Sequence, residues 1–395
     1  MRVLYTAAHA GAGAGVPIGG GGAIATLLRN EWERTKPFEL EVVRPPDASA
    51  EEIVAYSQSQ YGDFCHRFRK YSTNQILRED PKQCAVLAND ISEGPDFAVL
   101  GRHGYRVYTI WHVDVVAFIA RLHLRGWIRP ENLVKLIEPI ERLLPAIAKL
   151  AFQQQRECLE NCAGHFVMTE SMKKTILRCY PKTDPAKIHV IPWGAPPAIE
   201  GRGKSMDLPG PVLLTLSRIS PEKGLGRLLK ALAKWEGSAT LLICGAPAYM
   251  YGDQAYAETK RLASQLKNVK VVFQGHVSGQ SKLDAFASAD VYLFPSKFES
   301  YGLTLMEALS YGVPAIAFNH DGAKAILQPE FGSLIRSDEE LLSALDELLA
   351  NPERRAQMSA SARRYAEERP FSKAAAEVAR IVSGSTVSPS IAISH

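Results

Sequence analysis

The chain has 395 residues, with 46 Lys and Arg against 42 Asp and Glu, and a formal net charge of +4 at pH 7. At roughly 100 to 200 residues per domain that length predicts two or three domains, and the charge is too mild for a nucleic-acid-binding surface, which would need Lys and Arg clustered with aromatics. The first residues, MRVLYTAAHAGAGAG, run into glycines rather than a signal core, and no stretch has the length of a membrane span, so the expected location is cytoplasmic. Six cysteines without a secretory signal read as reduced core residues, and Cys158 with Cys162 has no second metal-ligand pair nearby.

In chain order, Arg2 to Ala7 is predicted as a short strand, followed by a glycine-dense loop to Gly22 and a helix from Ala23 to Arg34. Phe38 to Val43 is a second strand before Pro45 and Pro46, so a βαβ alternation has begun. Asp47 to Lys82 is polar and aromatic and receives no assignment. Val86 to Ile91 and Phe97 to Leu100 are apolar, Arg106 to Trp111 is a strand, and the chain is then mostly helical up to Cys162. Phe166 to Thr169 is a strand leading into a helix with Thr169 as N-cap, and Ile188 to Ile191 is another strand before Pro192. Gly194 to Pro211 is rich in Pro and Gly without periodicity and marks a linker.

Strands resume at Val212, Thr240, Val269, Val291 and Ala315, with helices over Asp338 to Asn351 and Pro352 to Glu368. A last amphipathic helix follows Phe371, and the final residues are predicted to be disordered. The fold class is α/β, with two doubly wound Rossmann-like domains at 1–195 and 196–370, a helix at 371–384 and a tail at 385–395.

The segment LFPSKFESYGLTLMEALSYGVPAIAFN, Leu293 to Asn319, carries the clearest chemistry. A strand ends at Pro295 and a helix opens after Gly302, so the loop between them lies outside the carboxyl end of a parallel strand, where ligands bind. Gly302 permits a tight turn, and the amides after it suit an anion. Glu307, a turn into the helix, is placed to accept two hydrogen bonds from a vicinal diol such as a ribose, while Glu299 stays in the loop nearer the anion. A second constellation, LSRISPEKG, follows the first strand of the second half and offers Arg218 and Lys223 as cations for a departing diphosphate. A third, Gly19 to Gly22, precedes the first helix with amides that suit a phosphate or a close-lying sugar.

The segment after Leu293 resembles the signature of two glutamates shared by retaining glycosyltransferases of family 4, a GT-B group, standing here as E-S-Y-G-L-T-L-M-E-A-L-S-Y-G-V-P-A. LSRISPEKG resembles that family's diphosphate-binding element, with Ser217 where glycine is more frequent. TIWHVD resembles its T-x-H-D element, which places His112 facing the donor sugar, with the acid one residue later at Asp114 and His103 as a competing histidine. QGHV, Gln274 to Val277, resembles a turn touching the donor base. The family's G-G-x-x-E element is broken, since Asp321, Gly322, Ala323, Lys324 and Ala325 leave no glutamate.

The resemblance implies GT-B architecture, with two domains facing a central cleft, and retaining transfer of a hexosyl unit, glucose-type, from a UDP-linked sugar to an acceptor hydroxyl in polysaccharide or glycolipid synthesis. No metal or other cofactor is implied. Catalytic roles fall to His112, Glu299, Arg218 and Lys223. Donor binding falls to Gly20, Gly21, Gly22, Arg218, Lys223, His276, Val277, Glu299, Tyr301, Gly302, Leu303, Thr304 and Glu307. A nucleotide-sugar 2-epimerase of the same shape and a non-catalytic nucleotide-sugar-binding protein are the alternatives. The acceptor is expected to be a glycan or a lipid-linked molecule. Residues 118–150 alternate apolar residues with Arg and Lys, a pattern that suits peripheral contact with the inner face of an anionic membrane.

Overall fold

Strands covered on both faces carry unbroken apolar runs, and the apolar runs of this chain form two parallel sheets. The computed structural model describes residues 1–10, 19–124, 126–144, 146–248 and 251–384; the expected tail at 385–395 and the glycines from Gly11 to Gly15 lie outside the described residues. The first sheet comprises β1 (Arg2–Thr6), β2 (Glu39–Val43), β3 (Cys84–Ala88), β4 (Arg106–Ile110), β5 (Gly164–Val167) and β6 (Ile188–Val190), in the order β2-β1-β3-β4-β5-β6. The second comprises β7 (Val212–Leu216), β8 (Ala239–Cys244), β9 (Val269–Gly275), β10 (Val291–Phe294), β11 (Ala315–Phe318) and β12 (Gly332–Ile335), in the order β12-β11-β10-β7-β8-β9. All the strand pairings are parallel. The order reverses between β1 and β3 in one sheet and between β7 and β10 in the other, and each reversal opens a crevice beyond the strands' carboxyl ends. This is the pair of doubly wound Rossmann-like sheets that the GT-B resemblance implies.

Two local expectations are corrected. Gly20, Gly21 and Gly22 do not precede the first helix but form its opening turn, because the helix spans Gly20–Thr35 with Gly19 as N-cap. Glycine weakens a helix interior, yet this helix is held by Ile24, Ala25, Leu28 and Trp32, which are buried against the sheet, so its first turn tolerates the poor formers. The unassigned segment holds two helices, Ala50–Ala55 and Gln58–Ile76, each opened by a capping box, Ser49 with Glu52 and Ser57 with Gln60.

The halves are joined by two adjacent passages of chain. Ala195 donates its amide to Arg369 O at 2.7 Å and accepts from the Phe371 amide at 2.8 Å, so the linker and the start of the last helix run side by side. That helix, Phe371–Ser383, packs on the first half, where Trp32 Nε1 donates to Ala375 O at 2.9 Å. Across the halves, Arg121 Nη1 pairs with Asp321 Oδ2 at 2.5 Å, and the Phe118 and Phe298 rings meet edge to face at 5.7 Å.

Candidate functional site

The loops after β7 and β10 flank the second crevice, and glycine brings them together. Gly224, at φ 72°, touches the β10 loop so closely that a Cβ there would stand 2.0 Å from Pro295 O. The Lys297 amide also donates to Glu222 O at 2.8 Å. This contact puts Lys223 Nζ 2.6 Å from Glu299 Oε1, which also accepts from Ser296 Oγ at 2.9 Å. Burial alone would raise the Glu299 carboxyl, but the Lys223 ammonium outweighs it and holds the group below its ordinary value.

Gly302, at φ 124°, opens the helix Leu303–Ser310. No side chain caps that helix, so the first-turn amides, those of Leu303 and Thr304 among them, have no helical acceptor and lie at the positive end of the dipole. Thr304 Oγ1 is 2.9 Å from the Tyr292 hydroxyl. Glu307, within this helix, is held at Oε1 by Lys282 Nζ at 2.5 Å. The Tyr301 side chain is buried, and its hydroxyl accepts from the Gly194 amide at 2.9 Å, so it anchors the linker. His276 is exposed and Val277 is buried just beyond β9, at the turn made by Gly275 at φ 75°.

The first half meets this crevice through its glycines. A Cβ on Gly19 would lie 3.4 Å from Arg218 Cζ, and one on Gly21 would lie 3.0 Å from His112 Cδ2, whereas Gly20 faces open space. The opening turn of the first helix is therefore wedged between Arg218 and His112. Arg218 Nη2 also lies 3.7 Å from Glu222 Oε1. His112 follows the carboxyl end of β4 and is buried, with Nε2 3.3 Å from Asn89 Oδ1. Burial lowers its imidazole to about 4, so the ring is neutral at physiological pH.

The competing residues separate cleanly. His103 is exposed at the end of the helix that leads into β4, before the amino end of that strand and away from His112 beyond its carboxyl end, with Nδ1 2.9 Å from Val99 O. Asp114 is buried and caps the turn Val115–Phe118, its Oδ1 accepting from the Ala117 amide at 3.1 Å and from Gln155 Nε2 at 3.0 Å. Asp321, in the broken glycine element, is engaged by Arg121 of the first half.

Sequence reasoning missed a buried polar cluster at the β1/β3 crevice. Asn89 accepts from the Tyr5 hydroxyl at 2.6 Å and donates Nδ2 to Gly21 O at 3.2 Å, linking β1, β3, His112 and the first helix. Beside it, Glu93 Oε1 lies 3.3 Å from His9 Nε2 and accepts from the Tyr61 hydroxyl at 2.8 Å. Burial and the Glu93 charge push Asp90 up to about 7. A signal was present: His9 and Asn89 to Glu93 follow directly on the apolar runs RVLYT and CAVLA, at strand ends where polar residues have no core to serve.

Residues 203–365 match the family model described as glycosyl transferases group 1. A GDP-mannose-dependent monoacylated alpha-(1-6)-phosphatidylinositol monomannoside mannosyltransferase of Corynebacterium glutamicum is 34% identical over 170 residues, which cover 40% of this chain and 42% of that protein. An alpha-maltose-1-phosphate synthase of Mycolicibacterium smegmatis is 24% identical over 222 residues, covering 51% and 57% respectively. The chain thus spans about half the length of the curated relatives it matches. Sucrose-phosphate synthase from Thermosynechococcus elongatus superposes with a TM-score of 0.70 at 15% identity, over 97% of this chain and 98% of that one. Anabaena HepE in complex with UDP-glucose superposes with a TM-score of 0.65 at 15% identity, over 97% and 100%. These structures share the fold.

Proposed function

We propose that this chain, whose residues 203–365 match the glycosyl transferases group 1, moves a hexosyl unit from a nucleoside diphosphate sugar to an acceptor hydroxyl with retention at the anomeric carbon. The observation that carries this reading is the wedging of the Gly19–Gly22 turn between Arg218 and His112, which makes one site from both halves of the fold.

In this reading Arg218 and Lys223 hold the diphosphate and take up the charge of the leaving group, with the first-turn amides of Gly20, Gly21 and Gly22 beneath it. An ammonium has three donors, so Lys223 can keep Glu299 with one and offer two to phosphate oxygens. Glu299 then orients sugar hydroxyls from one side and neutral His112 meets them from the other. Glu307 takes the ribose diol and the amides after Gly302 take the distal phosphate. His276 and Val277 border the base. The leaving phosphate accepts the acceptor's proton as the glycosyl oxygen bond forms on the same face. No step calls on a metal, because two cations already face the phosphates.

Uridine is the proposed base, since the QGHV turn carries no acidic group for guanine's donors. HepE, whose solved complex contains UDP-glucose, has the same fold. The GDP-mannose-dependent relative supports a second reading with guanosine and mannose. The acceptor is proposed to be lipid-linked. Trp127 and Leu143 are 88% and 83% exposed, Leu136 and Ile140 lie in the same region, and Arg129 and Lys135 are near them in sequence, as suits an anionic bilayer surface. No helix among the described residues is long and apolar enough to cross a membrane.

The test is turnover of UDP-glucose and GDP-mannose with membrane extract as acceptor, with and without EDTA. Free nucleoside diphosphate together with labelled lipid or glycan, unchanged by EDTA, is expected. Free UDP with an epimerised sugar and no transfer indicates the epimerase, and binding without turnover indicates a sensor.

A further inference from the structure

A cavity of about 250 Å³ opens at the carboxyl ends of β10, β11 and β12. Its lining includes Arg227, Ser296, Lys297, Phe318, Asn319 and Arg336, and it shares no lining residue with the groups assigned above to the donor. Three of the six are cations. Arg227 is held in place: its guanidinium carbon lies 3.7 Å from the Phe318 ring centroid, Nε pairs with Asp338 Oδ1 at 2.8 Å, and Nη2 donates to Arg336 O at 3.3 Å. Five donors on a planar fork exceed those two acceptors, so Arg227 presents a fixed cation with donors to spare.

Asp338 offsets Arg227, whose charge also reaches Glu339, so the positive charge left over in the lining is that of Lys297 and Arg336. Glu340 accepts from the Arg336 backbone amide at 2.7 Å. Among the described residues the side chains of Lys297 and Arg336 enter no ion pair within 4.0 Å. Ser296 and Asn319 add neutral hydrogen-bonding groups to the lining. A fixed guanidinium, two further cations and neutral donors around a space larger than a bare phosphate suit a phosphate ester.

We infer that this cavity binds the phosphate monoester of a small water-soluble molecule, at a site separate from the nucleotide-sugar crevice. Occupancy would be felt at the crevice, because Ser296, which lines the cavity, is 2.9 Å from Glu299 Oε1.

The experiment titrates the full chain with glycerol 3-phosphate by calorimetry, with UDP absent and then saturating, for wild type and for a Lys297→Gln, Arg336→Gln double variant. These two side chains are exposed, and their removal leaves the Arg227, Phe318 and Asp338 packing intact. The expected result is one glycerol 3-phosphate site that survives saturating UDP and weakens about 10-fold or more in the double variant. UDP affinity should be equal in the two proteins. Loss of the site on adding UDP would place the phosphate on Arg218 and Lys223 and overturn the inference. So would equal glycerol 3-phosphate affinity in the two proteins, or binding only to phosphatidate vesicles. If UDP fails to bind at all, the donor reading fails, while the comparison between the two proteins still decides the phosphate site.

Discussion

Lys223 and Glu299 are largely but not fully shielded from solvent, opposite in charge and 2.6 Å apart, so removing one leaves the other without its partner. Lys223→Ala is predicted to lower turnover at least about 10-fold, from loss of a charge-assisted contact of about 1.5 to 3 kcal/mol; steady-state kinetics at saturating donor checks this, and wild-type turnover would remove Lys223 from the site. The pair also sets a pH dependence. The Glu299 carboxyl sits below its ordinary 4.5 in the folded chain, so the pair's contribution is full above about that pH and is lost as pH falls through the lowered value. The stability gap between wild type and Lys223→Met, from urea unfolding at several pH values, should therefore close on acidification. His112 acts in the same direction over a higher pH window. Its imidazole is lowered from 6.5 to about 4, so the unfolded chain binds more protons between those values and stability falls as pH drops through that window. His112→Asn should reduce that loss, and an NMR titration of His112 at or above 6.5 would refute the assignment. At this scale the sequence was informative where residues share a loop, as Arg218 and Lys223 do. It was blind to Asn89 and Glu93, which reach Tyr5 and His9 only because β3 lies beside β1.

The elements show which sequence signals survive folding. The strands of the second half were legible because VLLTL, TLLIC and AIAF are short apolar runs covered on both faces, and helices fill the intervals. The helices Ala50–Ala55 and Gln58–Ile76 escaped because their polar and aromatic residues blur the 3.6 periodicity, although both capping boxes were present. The first helix began earlier than expected because propensity alone does not place a helix start. Its glycines supply a prediction. Gly21→Ala should be neutral or stabilising to the helix by propensity, yet its Cβ would press on His112 from 3.0 Å. Kinetics and thermal unfolding of that variant should show kcat/KM down about 10-fold, a cost of about 1.4 kcal/mol, with an unchanged melting temperature. Unchanged activity would show that the turn is not part of the site.

At the scale of the whole molecule, segments beyond the carboxyl ends of the two sheets come together, with Gly19 of the first half against Arg218 of the second. The two-sheet architecture was legible from the βα alternation and the linker after Gly194; the contacts between halves were not, since Arg121 with Asp321 and Trp32 with Ala375 join residues far apart in sequence. Those contacts seat His112 and the first-helix glycines over the Arg218 crevice. In the proposed function this crevice holds a nucleoside diphosphate with its ribose on Glu307. The most direct measurement is calorimetry of UDP and GDP with wild type and Glu307→Ala. Wild type is expected to bind UDP more tightly than GDP, and the variant to bind both more weakly by about 1.5 to 3 kcal/mol, roughly 10-fold to 150-fold. Tighter GDP binding would reverse the choice of base, and a Glu307→Ala protein that binds both nucleotides as wild type does would contradict the site itself.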